Sequence, residues 1–372
     1  MIIKNLTLQN FRNYDSLDIS FCPQINIIYG NNAQGKTNIL EGIYVLCLTK
    51  SHRPYVDNRL LKINTNYLKI KGSFDEKILD KKMVITIDEK GKRLEVNNQK
   101  VNKINKYIEN SSVIIFYPED LNLIKGSPQE RRRYLNIEMS QLYKDYLINL
   151  NDYNKLLKMR NDCLKKLKLN LSVDLSYFNI ITNYLADRAD IIYNLRTKYF
   201  DALNEYCTKI YKKISKYDNF KVVYKPNVCE KNISYKETLL NLFKENYKEE
   251  IRVGNTLYGP HKDDYYFYIG EKNLKDYGSQ GQQRIAILTH KLSEIELFKK
   301  LKNEKPILLL DDVFSELDEI KKNLLLEYIN NNMQVIITTT DLNNISKDIL
   351  DKSNIYQIDN GKLISMEENY GK

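Results

Sequence analysis

One eight-residue stretch does most to limit how this chain can fold. Gly30-Asn31-Asn32-Ala33-Gln34-Gly35-Lys36-Thr37 follows the pattern G-x-x-x-x-G-K-[ST]. Its glycines let the backbone turn so that successive N–H groups point at phosphate oxygens. Lys36 then neutralises the β/γ-phosphates, and Thr37 offers a hydroxyl to Mg²⁺. The context fits. Ile25, Ile27, Ile28 and Tyr29 lead as an apolar strand into Gly30, and apolar residues at 39, 40, 43, 44, 46 and 47 give helical spacing over 38–48. The stretch predicts a nucleotide-phosphate cradle in an α/β fold.

A second segment supplies what such a cradle needs. Pro306-Ile307-Leu308-Leu309-Leu310-Asp311-Asp312 is an apolar run ending in two carboxylates. Burial of a strand on both faces explains the run. It does not explain adjacent acids whose repulsion calls for a cation. Asp311 is expected to bind Mg²⁺, and Asp312 to orient or deprotonate the attacking water. A third segment, Gly278-Ser279-Gln280-Gly281-Gln282-Gln283-Arg284, opens an amphipathic helix over about 282–301. Ser279 and Gly281 at a helix start make a second anion site. One nucleotide needs only one cradle, so the second suggests a site completed by another copy of the chain.

The rest of the sequence divides into α/β, helical and α/β stretches. Short strands are expected over 2–8, 17–21, 25–29, 67–72, 83–87, 94–96 and 112–116. Ser127-Pro128-Gln129-Glu130 is a helix-start signature. Apolar residues then recur in steps of three, four or seven from 135 to 167, and again from 175 to 214. This predicts two long helices in an antiparallel hairpin, each about 45–60 Å at 1.5 Å per residue. Strands follow over 220–224, 265–269, 307–310 and 335–339, with a helix over 319–330 and a hairpin at 360–361. The expected domains are a discontinuous α/β domain, 1–122 with 252–372, and an inserted, mainly helical domain, 123–251.

Composition removes several function classes. The five cysteines are odd in number and show no CxxC spacing, and the three histidines show no metal spacing. No apolar run approaches the ~18 residues of a membrane span. The opening MIIKNLTLQNF alternates like a strand rather than a signal peptide, so a cytoplasmic location without membrane attachment is expected. Net charge is +10, which suits nucleic acid. Of Arg131, Arg132 and Arg133, which point in different directions, one is free to contact phosphate while another pairs with an acid. The lysines at 165, 166, 168, 212 and 213 read as solvated helix faces.

The glycine loop, the Ser-x-Gly-Gln helix start, the Leu-Leu-Leu-Asp-Asp strand and Ser315-Glu316-Leu317-Asp318, in this order, resemble the heads of SMC-like, ABC-type ATPases. Asn10-Phe11-Arg12-Asn13-Tyr14, Ser51-His52-Arg53, Phe116-Tyr117-Pro118-Glu119-Asp120, Lys125-Gly126-Ser127-Pro128, Gly259-Pro260-His261 and Asp263-Asp264 narrow the resemblance to the RecF family. It implies a P-loop ATPase head with an inserted helical domain, lobes I and II. It further implies an ATP-driven homodimer that binds single- and double-stranded DNA in recombination repair and replication, including the SOS response. Such a dimer would act with RecR and RecO to help load RecA at gaps. By similarity, Arg12 and Asn13 would reach the nucleotide, Ser279, Gly281 and Gln282 would meet the γ-phosphate of the opposite subunit, and Asp318 would act across the dimer. The chain departs from the family at Lys262, where Arg is usual, and a bidentate contact would be lost there. Thr338-Thr339-Thr340-Asp341 stands where transporter cassettes carry a histidine. Asp312 is shorter than the Glu of fast cassettes, so slow, DNA-stimulated hydrolysis is expected. The competing readings are the ATPase subunit of a transporter and a nucleotide-gated scaffold without significant turnover.

Overall fold

The computed structural model describes residues 1–53, 57–75, 80–215, 219–230, 233–317, 321–322, 325–326 and 333–370. The chain divides into two compact units, Met1–Asp120 with Glu294–Lys372, and Leu121–Ser293.

The first unit holds two six-stranded sheets. Strands β1 (Ile3–Phe11), β2 (Tyr14–Ser20), β4 (Tyr67–Phe74), β5 (Lys81–Asp88), β6 (Gly91–Val96) and β7 (Gln99–Lys100) form an antiparallel sheet in the order β2-β1-β4-β5-β6-β7. Its inner face alternates as a half-buried sheet must: Leu6, Leu8, Leu68, Ile70, Ile85 and Ile87 are buried. The second sheet runs β15-β14-β3-β13-β12-β8, from β3 (Ile25–Tyr29), β8 (Val113–Phe116), β12 (Ile307–Asp311), β13 (Val335–Thr339), β14 (Ser353–Asp359) and β15 (Lys362–Glu368). Its β14, β3, β13, β12 and β8 are parallel neighbours, and only β15 is antiparallel. The parallel strands are buried nearly throughout, which is why Val113–Phe116, Ile307–Leu310 and Val335–Ile337 read as continuous apolar runs. Register sets Asp311 beside Thr338 and Thr338 beside Ile28, so the ends of β12, β13 and β3 finish together. That shared edge is where an open parallel sheet places its ligand.

The second unit is chiefly helical. Ser127 caps the helix Pro128–Leu142 with a reciprocal bond to Glu130, as its sequence signature predicts. The long helix expected to continue to 167 does not. Tyr143 is extended (φ −122°, ψ 110°), and a separate 25-residue helix, Lys144–Lys168, begins after it. That helix is about 37 Å long, short of the expected 45–60 Å, whereas the 40-residue helix Leu175–Ile214 is about 60 Å. The two pack against each other as a hairpin. A three-stranded antiparallel sheet, β11-β10-β9, from β9 (Phe220–Lys225), β10 (Asp264–Ile269) and β11 (Lys272–Asn273), also belongs to this unit. The unit boundary at 293/294 falls inside the helix Gln280–Lys302. The helix expected over 319–330 falls mostly outside the described residues, of which 321–322 and 325–326 are helical.

Charged groups inside the second unit are matched with care. Arg131, the first of the three arginines, is buried and forks onto Asp264 (2.6 and 2.8 Å), with a third bond to Gly126 O at 2.8 Å. Arg196 meets Asp263 at 2.6 Å and also Pro260 O, Tyr146 and Asn136. Arg160 meets Glu250 at 2.6 Å and lies 4.0 Å over the Phe243 ring. Gly259-Pro260-His261 turns back on the helix Lys144–Lys168: the Tyr153 hydroxyl bonds His261 Nδ1 at 2.6 Å, and His261 Nε2 faces Thr256 O at 3.1 Å. Gly259 has φ +129°, and a Cβ there would stand 2.5 Å from the Tyr153 hydroxyl oxygen.

Candidate nucleotide site

The glycine loop joins β3 to the helix Lys36–Leu48 at the shared sheet edge. Gly30 (φ +154°) cannot carry a side chain, because a Cβ would lie 2.2 Å from Ile358 O on β14. Gly35 (φ +111°) is likewise closed in by Asn13 and the Tyr14 hydroxyl, at 2.6 and 2.8 Å. The loop is braced from two sides. From the β1–β2 turn, Asn13 Nδ2 donates to Gln34 O (3.2 Å) and Tyr14 to Gly35 O (3.1 Å). From the β14–β15 turn, the Gly361 and Asn360 N–H groups donate to Gln34 O and Gln34 Oε1. A shaped loop held this firmly is ready to receive phosphate without further ordering.

Lys36 is buried at 7 % exposure, and its ammonium donates to Gly30 O (2.6 Å) and Asn31 O (2.8 Å). Burial pulls its pKa below the usual lysine range, and Asp312 and Asp311 counter this. Asp311 Oδ1 accepts from both Thr37 Oγ1 (2.8 Å) and Thr338 Oγ1 (2.7 Å). Burial pushes the Asp311 carboxyl up, against the two hydroxyl bonds and the nearby Arg53, with Asp312 adding to the rise. Asp312 is left-handed (φ 52°), and its N–H donates to Thr338 O and Oγ1 (3.2 and 3.1 Å). Lys36, Thr37, Arg53, Asp311, Asp312 and Thr340 line a cleft of about 310 Å³, which the loop residues Asn32, Ala33, Gln34 and Gly35 complete. Its donor set of hydroxyl and carboxylate oxygens fits a hard divalent cation such as Mg²⁺.

The structure gathers Gly30–Thr37, Asn13, Asp311 and Asp312 in one place. Arg12 stands beside them, but its guanidinium is bound to Glu41 (2.8 and 2.7 Å) and to Arg59 O (2.8 Å). Ser279, Gly281 and Gln282 lie in the second unit. Ser279 Oγ accepts from Gln282 N (3.2 Å) while Gln282 Oε1 accepts from Ser279 N (2.9 Å), a reciprocal cap. Ser279 and Gly281 are exposed. Asp318 lies outside the described residues.

Two contributors went unassigned in the sequence. Glu41 is fully buried and holds Arg12 and Ser51. Burial favours its neutral form, but those two partners outweigh it and keep its pKa below the usual range. Its signal was an acid amid Ile39, Leu40 and Ile43, where an unpaired charge is not tolerated. Arg53 was noted only within Ser51-His52-Arg53, yet it reaches the cleft.

Among the described residues, no helix is long and apolar enough to cross a membrane. The family described as RecF/RecN/SMC N terminal domain matches residues 2–362. The DNA replication and repair protein RecF of Lactobacillus johnsonii is 39% identical over 373 residues, covering 99% of this chain and 100% of that protein. RecF of Oceanobacillus iheyensis is 38% identical over 366 residues, 97% of this chain and 99% of its own. A solved structure of the recombination mediator RecF with ATP, from the RecFOR pathway, superposes with a TM-score of 0.91 at 31% identity, over 99% and 98% of the two chains. An Smc head domain with an extended coiled coil aligns with a TM-score of 0.52 at 16% identity, over 99% of this chain and 96% of that one, a likeness of fold. The fold is therefore that of an ABC/SMC-like ATPase, and with relatives this similar over its whole length the chain belongs to the RecF family.

Proposed function

We propose that this chain is an ATP-dependent DNA-binding protein of recombination repair, working as a homodimer whose nucleotide state controls its hold on DNA. The observation that carries the reading is the 2.8 Å bond from Thr37 to Asp311, which joins the glycine loop to the carboxylate strand across 274 positions of sequence. A loop that binds phosphate and an acid that binds a cation are of little use apart; together they form a Mg²⁺–ATP site. Thr37 and Asp311 would hold Mg²⁺, which when bound draws charge from the phosphate oxygens. Lys36 would exchange its loop carbonyls for the β/γ-phosphates, and Asp312 would orient the attacking water.

Ser279, Gly281 and Gln282, at a helix start where Ser279 and Gly281 are exposed, would serve the γ-phosphate of a second copy. Asp318 would join them, and Arg12, anchored on Glu41, would with Asn13 reach the nucleotide from the β1–β2 turn. Domains 1–122 with 252–372 and 123–251 would act as head and inserted lobe. The finer reading is a cytoplasmic partner of RecR and RecO that helps load RecA at gaps, with slow hydrolysis; the RecFOR pathway named for the similar RecF–ATP structure supports its place beside such partners. Sedimentation of the full chain with Mg²⁺–ATP, with and without duplex DNA, tests this. ATP-dependent dimers that retain DNA are expected, and Lys36→Ala should abolish them without unfolding the chain. A protein that stays monomeric in ATP and ignores DNA refutes the reading. Turnover that stays at background with DNA present leaves a nucleotide-gated scaffold.

A further inference from the structure

The hairpin turn after β14 spends its spare hydrogen bonds on the phosphate loop. Asp359 pairs with Lys362, so Asn360 and Gly361 form a two-residue loop, and both are left-handed, at φ 47° and 71°. That is the conformation of a type I′ turn, whose two central N–H groups lie outside the strand ladder. Here both donate to one residue. The Asn360 N–H meets Gln34 Oε1, and the Gly361 N–H meets Gln34 O at 3.1 Å. Asn13 Nδ2 donates to the same carbonyl at 3.2 Å. The three turns are closely fitted: a Cβ on Gly361 would lie 3.1 Å from Asn13 Nδ2.

A peptide unit is planar and trans, so fixing its carbonyl also fixes the N–H on its opposite edge. Two donors hold Gln34 O, and this turns the Gly35 N–H away from both of their turns. Gly35 lines the cleft with Lys36, Thr37, Asp311 and Asp312, and its N–H donates to no group among the described residues. We propose that the Asn360–Gly361 turn is a positioning element of the nucleotide site, holding the Gly35 N–H where it donates to a phosphate oxygen. The proposal rests on the Mg²⁺–ATP reading above and extends that site to residues 326 positions beyond Gln34. The next peptide is pinned in the same way, because the Tyr14 hydroxyl donates to Gly35 O at 3.1 Å and so orients the Lys36 N–H. The turn itself touches no nucleotide. Its effect is preorganisation: the loop is ordered before phosphate arrives, and binding does not have to supply that entropy.

The test is Mg²⁺–ATP affinity of the full chain, with the Gly35 amide followed by nuclear magnetic resonance after glycine-selective isotope labelling. Gly361→Val forces a β-branched residue into a left-handed position and against Asn13, which displaces the turn. Asn360→Gly keeps the left-handed backbone and both N–H donors. A lost hydrogen bond to a charged phosphate corresponds to roughly 10- to 100-fold in affinity, so Gly361→Val should weaken ATP by that factor while Asn360→Gly binds as the parent does. Bound nucleotide should move the Gly35 amide proton downfield in the parent and in Asn360→Gly, and less in Gly361→Val. A folded Gly361→Val with parent affinity and the parent's Gly35 shift overturns the proposal. So does an equal loss in Asn360→Gly, which would assign the effect to the hairpin's stability. Should Gly361→Val fail to fold, Gln34→Met, which deletes the Oε1 acceptor at nearly constant length, should weaken ATP in the same direction, and parent affinity there overturns the proposal. A parent that binds no Mg²⁺–ATP overturns the nucleotide reading itself, whereas a parent that binds it with an unmoved Gly35 amide overturns the positioning role alone.

Discussion

Asp311→Asn should make the protein more stable and less functional at once. In the fold Asp311 is a buried acid beside a second acid, and its carboxyl pKa is raised, chiefly by burial. A raised pKa means the folded state favours the protonated form. The acid therefore weakens the fold as pH climbs from about 4 through its raised value, and an asparagine, neutral throughout, does not. The amide keeps an oxygen to accept from Thr37 and Thr338, so the local bonds survive. Relief of active-site strain of this kind is worth about 0.5–2 kcal/mol, and each kcal/mol moves the midpoint by roughly 2–4 °C in a unit of this size. With Mg²⁺–ATP the order should reverse. The parent gains about 2.7 kcal/mol at a hundredfold excess over its dissociation constant, while the variant, without a cation ligand, gains little. Thermal melts at pH 4 to 8, with and without Mg²⁺–ATP, measure both effects. A variant no more stable than the parent across that range, and equally stabilised by Mg²⁺–ATP, would refute the assignment of Asp311 as a destabilising acid kept for its cation.

Asp312→Asn should preserve nucleotide binding and slow turnover by 10²-fold or more, the scale of a lost general base, leaving a dimer that holds DNA longer; unchanged turnover removes Asp312 from the reaction. Ser279→Arg should leave ATP binding by the monomer intact and block dimer closure, and mixing it with Lys36→Ala should restore part of the ATPase activity through one composite site. Full activity of Ser279→Arg alone excludes the role across the dimer. His261 is held neutral, burial pulling its pKa to about 4 from 6.5, so its contribution to stability is complete above pH 6.5 and drains away as pH falls toward 4, about 3 kcal/mol in all; denaturant titrations should show that loss in the parent and not in His261→Gln. Asp263→Asn strands the buried Arg196 charge and should cost about 3–5 kcal/mol, read as a loss of midpoint in urea, whereas a change under 1 kcal/mol would mean that Pro260 O, Tyr146 and Asn136 suffice to hold the guanidinium.

The phosphate loop and the carboxylate strand were legible because their chemistry is local: the residues that act are neighbours in sequence, and each strand carries its own apolar signal. The break at Tyr143 was not, since the apolar residues at 139, 142, 146 and 150 keep step across it and periodicity carries no mark of the interruption. Nor could the sequence choose among Arg131, Arg132 and Arg133. The choice is made by Asp264, 133 positions away. Arg12 shows the same limit. The partner that anchors its guanidinium is Glu41, a residue whose burial only the packed helix reveals.

The parallel sheet has a consequence for synthesis. β3 carries the phosphate loop, yet both strands that flank it, β13 and β14, come from the far end of the chain. Roughly 300 residues separate β3 from β13, and at ~5–20 residues per second a ribosome needs about 15–60 s to make them. For that interval Ile25–Tyr29 has two open edges and no native neighbour, the condition in which apolar strands find wrong partners. β14 also carries the Ile358 carbonyl that Gly30 packs against, and the turn after it braces Gln34. A nascent chain therefore owns its nucleotide loop early and can shape it only near the end of translation, so ATP cannot assist folding until almost the whole protein exists.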